Sequence, residues 1–241
     1  MSDSRPVALV TGAGSGIGRA TCMALADPSR NAHRLVLVGR REDPLRETGA
    51  MLGNESEDWS ALPTDIAEPD AANDLPSRAA SVFGRLDAVV NNAGWSPLKP
   101  AWELEQAEIE AILAVNATGP ILISAAAVRL FRKQNAGRLV QVSSIASDDP
   151  FPGLGVYGAA KAALNTLTTG LSNELGEDSS IRVFCVAPGA VETDLLRSLI
   201  TADDLPTESC LTPDSVAAVI ADCASGARDA ESGKTIWMPS P

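Results

Sequence analysis

Histidine and tyrosine are nearly missing from this chain: there is one of each in 241 residues, His33 and Tyr157. A single imidazole excludes a metal site built on paired histidines, and no Ser-His-Asp constellation is evident. His33 itself is expected on the surface, just ahead of a strand. The four cysteines, Cys22, Cys185, Cys210 and Cys223, show no Cys-x-x-Cys spacing and read as buried free thiols, so no metal is expected. Basic residues number 19 against 31 acidic ones, a net charge of −12 with no long basic run. A nucleic-acid surface is therefore not expected, because phosphate neutralisation needs clustered Lys and Arg. No apolar stretch approaches the roughly 20 residues that span a bilayer, and no membrane partner is expected. The opening Met1-Ser2-Asp3-Ser4-Arg5-Pro6 lacks the basic-then-apolar order of a secretory signal, which makes the cytoplasm the expected location.

What is present is ordinary globular material, 45% apolar and 21% charged, at a length that suits one compact α/β domain over residues 1–241. Short apolar runs recur as candidate strands: Val7 to Val10, Leu35 to Val38, Trp59 to Pro63, Gly84 to Val90, Arg138 to Val142, Ile181 to Val186 and Lys234 to Met238. Helical patterns fall between them, at Gly18 to Ala26, Pro44 to Leu52, Pro69 to Phe83, from about Trp102 to Asn116, Pro120 to Phe131, Tyr157 to Leu175 and Thr212 to Ala224. Such alternation predicts a doubly wound parallel sheet of Rossmann type, about seven strands flanked by helices on both faces. In such sheets ligands bind beyond the carboxyl ends of the strands. Gly12, Arg40, Asp65, Asn91, Ser144 and Pro188 all stand just past a strand end, so they are expected to share one rim.

The most informative stretch is Thr11-Gly12-Ala13-Gly14-Ser15-Gly16-Ile17-Gly18. It follows the first strand and opens the first helix. Free N–H groups and the helix dipole make such a start a phosphate cradle, and glycine lets a pyrophosphate approach the backbone. The spacing is Thr-Gly-x-x-x-Gly-x-Gly, with Gly12, Gly16 and Gly18 in the fixed places, and not Gly-x-Gly-x-x-Gly.

Tyr157 and Lys161 are four residues apart on a predicted helix and so share one face. A phenol with a pKa of about 10 is a poor acid–base group at neutral pH, and a neighbouring ammonium favours the phenolate. Ser143 and Ser144 end the fifth strand, where a hydroxyl could donate to a substrate oxygen.

With these residues assembled, the chain resembles the classical short-chain dehydrogenase/reductases over essentially its whole length. The glycine loop looks like that family's cofactor loop. Asn91-Asn92-Ala93-Gly94, preceded by Asp87, is similar to its second signature. Tyr157-Gly158-Ala159-Ala160-Lys161 resembles its catalytic motif, with Ser144 thirteen residues earlier. Asn116 resembles the helix asparagine, and Pro188-Gly189-Ala190-Val191-Glu192-Thr193 the segment beside the nicotinamide.

The resemblance implies a tetrad of Asn116, Ser144, Tyr157 and Lys161. Tyr157 would give a proton to a carbonyl oxygen as hydride arrives. Lys161 would lower the phenol's pKa and hold the nicotinamide ribose. Ser144 would polarise the carbonyl, and Asn116 would hold a water linking Lys161 to solvent. Cofactor contacts are expected from Gly12, Ser15, Gly16, Ile17, Gly18, Arg40, Arg41, Asp65, Ile66, Asn91, Ala93, Gly94, Tyr157, Lys161, Pro188, Gly189, Val191 and Thr193. Asp65 would accept from the adenine amino group.

Relatives that use NAD place an acidic residue after the second strand. Arg40 and Arg41 stand there instead, and guanidinium binds a 2′-phosphate that a carboxylate would repel. NADP(H) is therefore expected over NAD(H). The loops after strands four to six, including a substrate loop at about 195–211, carry Trp95, Phe151, Leu154, Leu195, Leu196 and Leu199. They suggest a medium-sized, rather hydrophobic ketone or diketone reduced to its alcohol; the loops hold no arginine pair for a phosphopantetheine or carboxylate, although Arg197 could serve. Two alternatives are a 3-oxoacyl carrier-protein reductase and a non-catalytic NADP-binding regulator. By resemblance, a homodimer or homotetramer would form through the helices at 120–131 and 157–175.

Overall fold

A computed structural model describes residues 3–30 and 32–241. Its frame is one sheet of seven parallel strands, in the order β3-β2-β1-β4-β5-β6-β7. The strands are β1 Val7–Thr11, β2 Arg34–Gly39, β3 Trp59–Pro63, β4 Ala88–Asn91, β5 Gly137–Val142, β6 Ile181–Pro188 and β7 Thr235–Met238. The order reverses between β1 and β4, which opens a crevice beyond their carboxyl ends.

The inner strands β1, β2, β4 and β6 bury residues on both faces because helices cover both. Ala8 and Val10 of β1 join one core with α1 (Gly16–Ala26) and α8 (Pro213–Ser225). Val7 and Leu9, pointing the other way, join a second core with α3 (Pro69–Phe83) and α5 (Gly119–Gln134). The remaining helices are α2 Glu42–Ala50, α4 Gln106–Leu113, α6 Gly155–Leu175 and α7 Asp194–Leu199.

Four expectations need correction. The two helices predicted between β4 and β5 are one continuous run, α4 joined to α5 by a π-helical turn at Ala114–Thr118. That run, Gln106–Gln134, is 29 residues long with a mean hydropathy of 1.8 in its most apolar window, which is membrane-spanning length. More than half of that window is buried within the fold, so its apolarity is what a core helix needs. β4 starts at Ala88, not Gly84, because Leu86 is buried as a single core residue ahead of the ladder. A short helix, α7, occupies the start of the predicted substrate loop, capped by Thr193, whose Oγ1 accepts the Leu196 N–H (3.2 Å). Finally, His33 is buried, 4% exposed, with Nδ1 unpaired among the described residues. Its backbone N–H donates to Leu25 O (2.8 Å), which draws the residue beneath α1 before β2 begins. The four cysteines are buried and free.

Candidate active site

A crevice of about 1270 Å³ runs along the carboxyl rim of the sheet. At one end is the glycine loop. Gly12 has φ +68°, and a Cβ there would stand 2.7 Å from Asn92 Nδ2 and 3.0 Å from Ala93 Cα. A Cβ on Gly18 would lie 2.1 Å from Gly12 O. The loop is therefore folded back on the first turn of α1 as tightly as hydrogen-only side chains allow. Ser15 is the N-cap but makes no side-chain cap bond. Ser15, Gly16 and Ile17 thus present their backbone to the crevice with the helix's first N–H groups uncapped. These features fit a pyrophosphate.

Several ties hold this loop, and sequence reading had passed over them. Thr11 Oγ1 accepts from the N–H groups of Asn92 (2.9 Å) and Ala93 (3.0 Å), and Asn92 Nδ2 donates to Thr11 O (2.9 Å). Arg19 Nη2 donates to Gly14 O (2.6 Å), and Thr48 Oγ1 donates to Ala13 O (3.0 Å). A polar residue at the end of an otherwise apolar strand, such as Thr11, was the available signal.

Past the ends of β2 and β3 lie Arg40, Arg41, Asp65 and Ile66, all lining the crevice. Asp65 Oδ1 accepts the Ala67 N–H (3.0 Å), leaving its second oxygen for another donor. Ala93, Gly94, Pro188, Gly189, Val191 and Thr193 line the central section. The methyl of Thr193 sits 3.1 Å from where a Gly16 Cβ would be, so the segment after β6 closes against the glycine loop.

Three expected residues are not on the wall. Asn91 is 1% exposed, and its Nδ2 donates to Ser124 Oγ (3.1 Å), Gln141 Oε1 (3.1 Å) and Pro120 O (3.3 Å). Its side chain alternates away from the rim into a polar knot between β4, β5 and α5, so the contact with cofactor assigned to it is withdrawn. Gly18 acts through close packing against Gly12. Asn116 is fully buried in the π-helical turn, where Nδ2 donates to Trp95 O (2.6 Å) and Ile112 O (2.8 Å), and Oδ1 accepts the Trp95 N–H (3.2 Å). A π-bulge often marks a functional position. Here it turns Asn116 toward Gly94, whose absent Cβ would meet Asn116 Oδ1 at 2.9 Å and Lys161 Nζ at 3.4 Å.

The remaining three are brought together. Tyr157 and Lys161 lie in the first two turns of α6, with Lys161 Nζ 5.6 Å from the Tyr157 ring centroid. The two serines divide. Ser143 is buried and donates to Lys161 O (3.0 Å), fastening α6 to β5. Ser144 accepts the Ala146 N–H at Oγ (3.2 Å) and stands within hydrogen-bonding reach of the Tyr157 phenol, so the two hydroxyls share the place a substrate oxygen would take.

The electrostatics differ from expectation. Burial pushes the Tyr157 phenol up to about 12, and Ser144 only partly opposes this. Lys161 does not bring the phenol down. Its ammonium is turned onto Val142 O (2.8 Å), and burial lowers its own pKa to about 8. Both groups are held closer to their uncharged forms than in water. At neutral pH the phenol keeps its proton.

Residues 6–204 match the short chain dehydrogenase family. The chain belongs to that family. An uncharacterized oxidoreductase of Staphylococcus saprophyticus is 34% identical over 220 residues, spanning 89% of this chain and 87% of the relative. One from Staphylococcus aureus MRSA252 is 32% identical over 202 residues, 84% and 83% of the two chains. The crystal structure of a 3-ketoacyl-(acyl-carrier-protein) reductase from Brucella melitensis complexed with NADH superposes with a TM-score of 0.87 at 28% identity, covering 97% of this chain and 96% of that one. This short-chain dehydrogenase is an oxidoreductase with a nicotinamide-cofactor crevice on a Rossmann-type sheet.

Proposed function

We propose that this dehydrogenase reduces an apolar, medium-sized carbonyl compound to its alcohol and takes NADP(H) in preference to NAD(H). The observation that carries the reading is the placing of the phenol: half-buried on the crevice wall beside Ser144 and Lys161, Tyr157 holds its proton at neutral pH and can donate it there. When bound, the nicotinamide cofactor supplies the hydride. The chain's own groups do the rest. Ser144 turns its hydroxyl from the phenol to the carbonyl oxygen and stabilises the charge growing there. Tyr157 Oη transfers its proton to the same oxygen, completing the alcohol. Lys161 is lodged between Val142 O and the tyrosine ring, its ammonium spent on the strand carbonyl.

The substrate end supports an apolar partner. Trp95, Phe151, Leu154, Leu195, Leu196 and Leu199 line it. At the other end, Arg40 and Arg41 are exposed and have no hydrogen-bond or ion-pair partner among the described residues. Of the carboxylates nearby, Glu42 is paired with Arg46 (2.7 Å) and Glu47 with Arg19 (3.3 Å). A ribose 2′-phosphate fits two uncommitted guanidinium groups. The same reading has the chain self-associating through α5 and α6, which carry exposed Ile121 and Ala159. Light scattering on the purified protein tests for the dimer or tetramer.

The deciding experiment is a panel of ketones and diketones read by NADPH absorbance, with Tyr157→Phe as the control. Reduction by the wild type with loss of at least about a hundredfold in the variant is expected for removal of the general acid. Tight NADPH binding with no turnover of any carbonyl compound would instead support a non-catalytic cofactor-binding protein.

A further inference from the structure

The wall of the substrate end is a loop with pinned roots. Val191 bridges in parallel to Leu211, the Glu192 N–H donates to Leu211 O (2.9 Å), and the Leu211 N–H donates to Ala190 O (2.8 Å). Between the roots, the crevice-lining Leu195, Leu196 and Leu199 of α7, with Ile200 and Leu205 beyond it, depend for their placement on ties within the loop. Those ties converge on Arg197. Its Nε donates to Glu192 Oε1 (2.7 Å) and its Nη2 to Glu192 Oε2, a bidentate pair. Nη1 donates to Leu205 O (2.8 Å) and, more weakly, to Ile200 O (3.5 Å). Nη2 also reaches Thr207 Oγ1 (3.4 Å). One planar guanidinium thus binds the loop's root, its helix and its far limb, which a point-charge ammonium could not do.

This arrangement fixes the charge of the crevice as well as its shape. The cations lining it are Arg40 and Arg41 at the adenosine end and Lys161, held on Val142 O. Asp149, Asp194 and Asp204 line the substrate end. Arg197 is the cation of the substrate loop that could have met an anion, and Glu192 already neutralises it.

We infer that Arg197 is a positioning and specificity residue: stapled to Glu192, it shapes the apolar wall and withholds its charge, so the site favours an uncharged carbonyl compound over one carried on an anionic tail. This rests on the carbonyl-reductase reading and narrows it, separating an apolar ketone from a carrier-borne thioester. An anionic tail would lie against an apolar wall beside three exposed carboxylates, with no cation on that wall to pair with, and a charge partly desolvated without a partner is disfavoured.

The test uses two aryl ketones of one skeleton, one ending in a methyl group and one in a carboxylate, with acetoacetyl-CoA as a natural anionic thioester. Wild-type kcat/KM should favour the neutral ketone by about tenfold or more, the usual scale for an unsatisfied buried polar group. Glu192→Gln releases the guanidinium from its carboxylate. It should narrow that ratio severalfold, the carboxylate ketone gaining while KM for the neutral one rises. Arg197→Met should raise KM for the neutral ketone with no gain for the anionic one, and should speed amide hydrogen exchange across residues 194–210. Equal wild-type use of the two ketones, or an unchanged ratio in Glu192→Gln, overturns the specificity claim. Unchanged exchange in Arg197→Met overturns the staple. If the wild type reduces neither ketone and no thioester, the carbonyl-reductase reading fails, and the exchange measurement still decides the role of Arg197.

Discussion

Cofactor choice offers the sharpest quantitative prediction. Arg40 is the first residue after β2, on the crevice wall, exposed, and free of ion pairs among the described residues. A hydrogen bond to a charged group contributes about 1.5–3 kcal/mol, and an exposed guanidinium belongs at the low end of that range. Arg40→Ala should therefore weaken NADPH by about tenfold, since 1.4 kcal/mol is one decade. Arg40→Asp adds repulsion of about 1 kcal/mol or more between its carboxylate and a dianionic phosphate a few ångströms away in water, for a total near a hundredfold. Neither change touches the groups that would hold NADH, whose ribose hydroxyl the new carboxylate can instead accept from. The assay is nucleotide fluorescence titration of NADPH and NADH against wild type and both variants, at low and high salt. The preference for NADPH should shrink with ionic strength, because these charges are solvent-facing. Equal NADPH affinity in wild type and Arg40→Asp would remove Arg40 from the account, and wild-type NADH affinity equal to that for NADPH would remove the preference itself.

Three further outcomes are expected. Lys161→Met should abolish turnover yet raise Tm at pH 7, because the buried ammonium, lowered from 10.5 to about 8, costs the fold a few kcal/mol; the gain should fade as pH rises from about 8 toward 10.5, where the unfolded chain loses the same proton, and a lower Tm at pH 7 would refute it. His33, buried and shifted downward by that burial, resists protonation in the folded state, so stability should fall as pH drops below the ordinary histidine value of 6.5; denaturant titrations at several pH values should show a flatter acid limb in His33→Gln, and parallel limbs would count against the claim. Gly18→Ala places a methyl 2.1 Å from Gly12 O, so a loss of about 1–3 kcal/mol in stability together with weakened nucleotide binding is expected, measured by melting with and without NADPH; wild-type behaviour in both would show that the loop relaxes freely.

The architecture was legible because each strand is a short apolar run ended by a polar or glycine-rich turn. Val7 to Val10 and Leu35 to Val38 could hardly be anything but buried parallel strands. The rim residues were legible for the same reason, since a strand end determines where its last side chains stand. What spacing could not reveal was which way a side chain at the rim turns. Asn91 and Asn92 are adjacent, yet the first closes a buried polar knot and the second clamps the glycine loop. Ser143 and Ser144 divide likewise, one spent on Lys161 O and the other set beside the Tyr157 phenol. Arg197 looked like a substrate ligand because its partner, Glu192, is five residues away across a helix cap that the sequence pattern did not announce. His33 looked exposed because a lone polar residue before a strand usually is.

The reversal between Tyr157 and Lys161 carries the most consequence. Proximity alone says that a cation makes a phenol acidic, and so predicts a site equally ready to donate or to take a proton. Burial acts on both partners at once and opposes charge on each: the phenol rises and the ammonium falls. The lysine then satisfies its proton on a strand carbonyl and not on the phenol. In a pair arranged this way, although the raised pKa also makes the phenol a weaker acid, reduction starts from the uncharged phenol that the site already favours. Oxidation of an alcohol must start from a phenolate that it does not. The pH profiles should therefore diverge: carbonyl reduction should proceed at neutral pH without an activating ionisation of Tyr157, while alcohol oxidation should climb steadily as pH rises toward the phenol's elevated value. Initial rates in both directions across that range check this, and an oxidation rate already level at neutral pH would show that the phenol ionises far more easily than its surroundings allow.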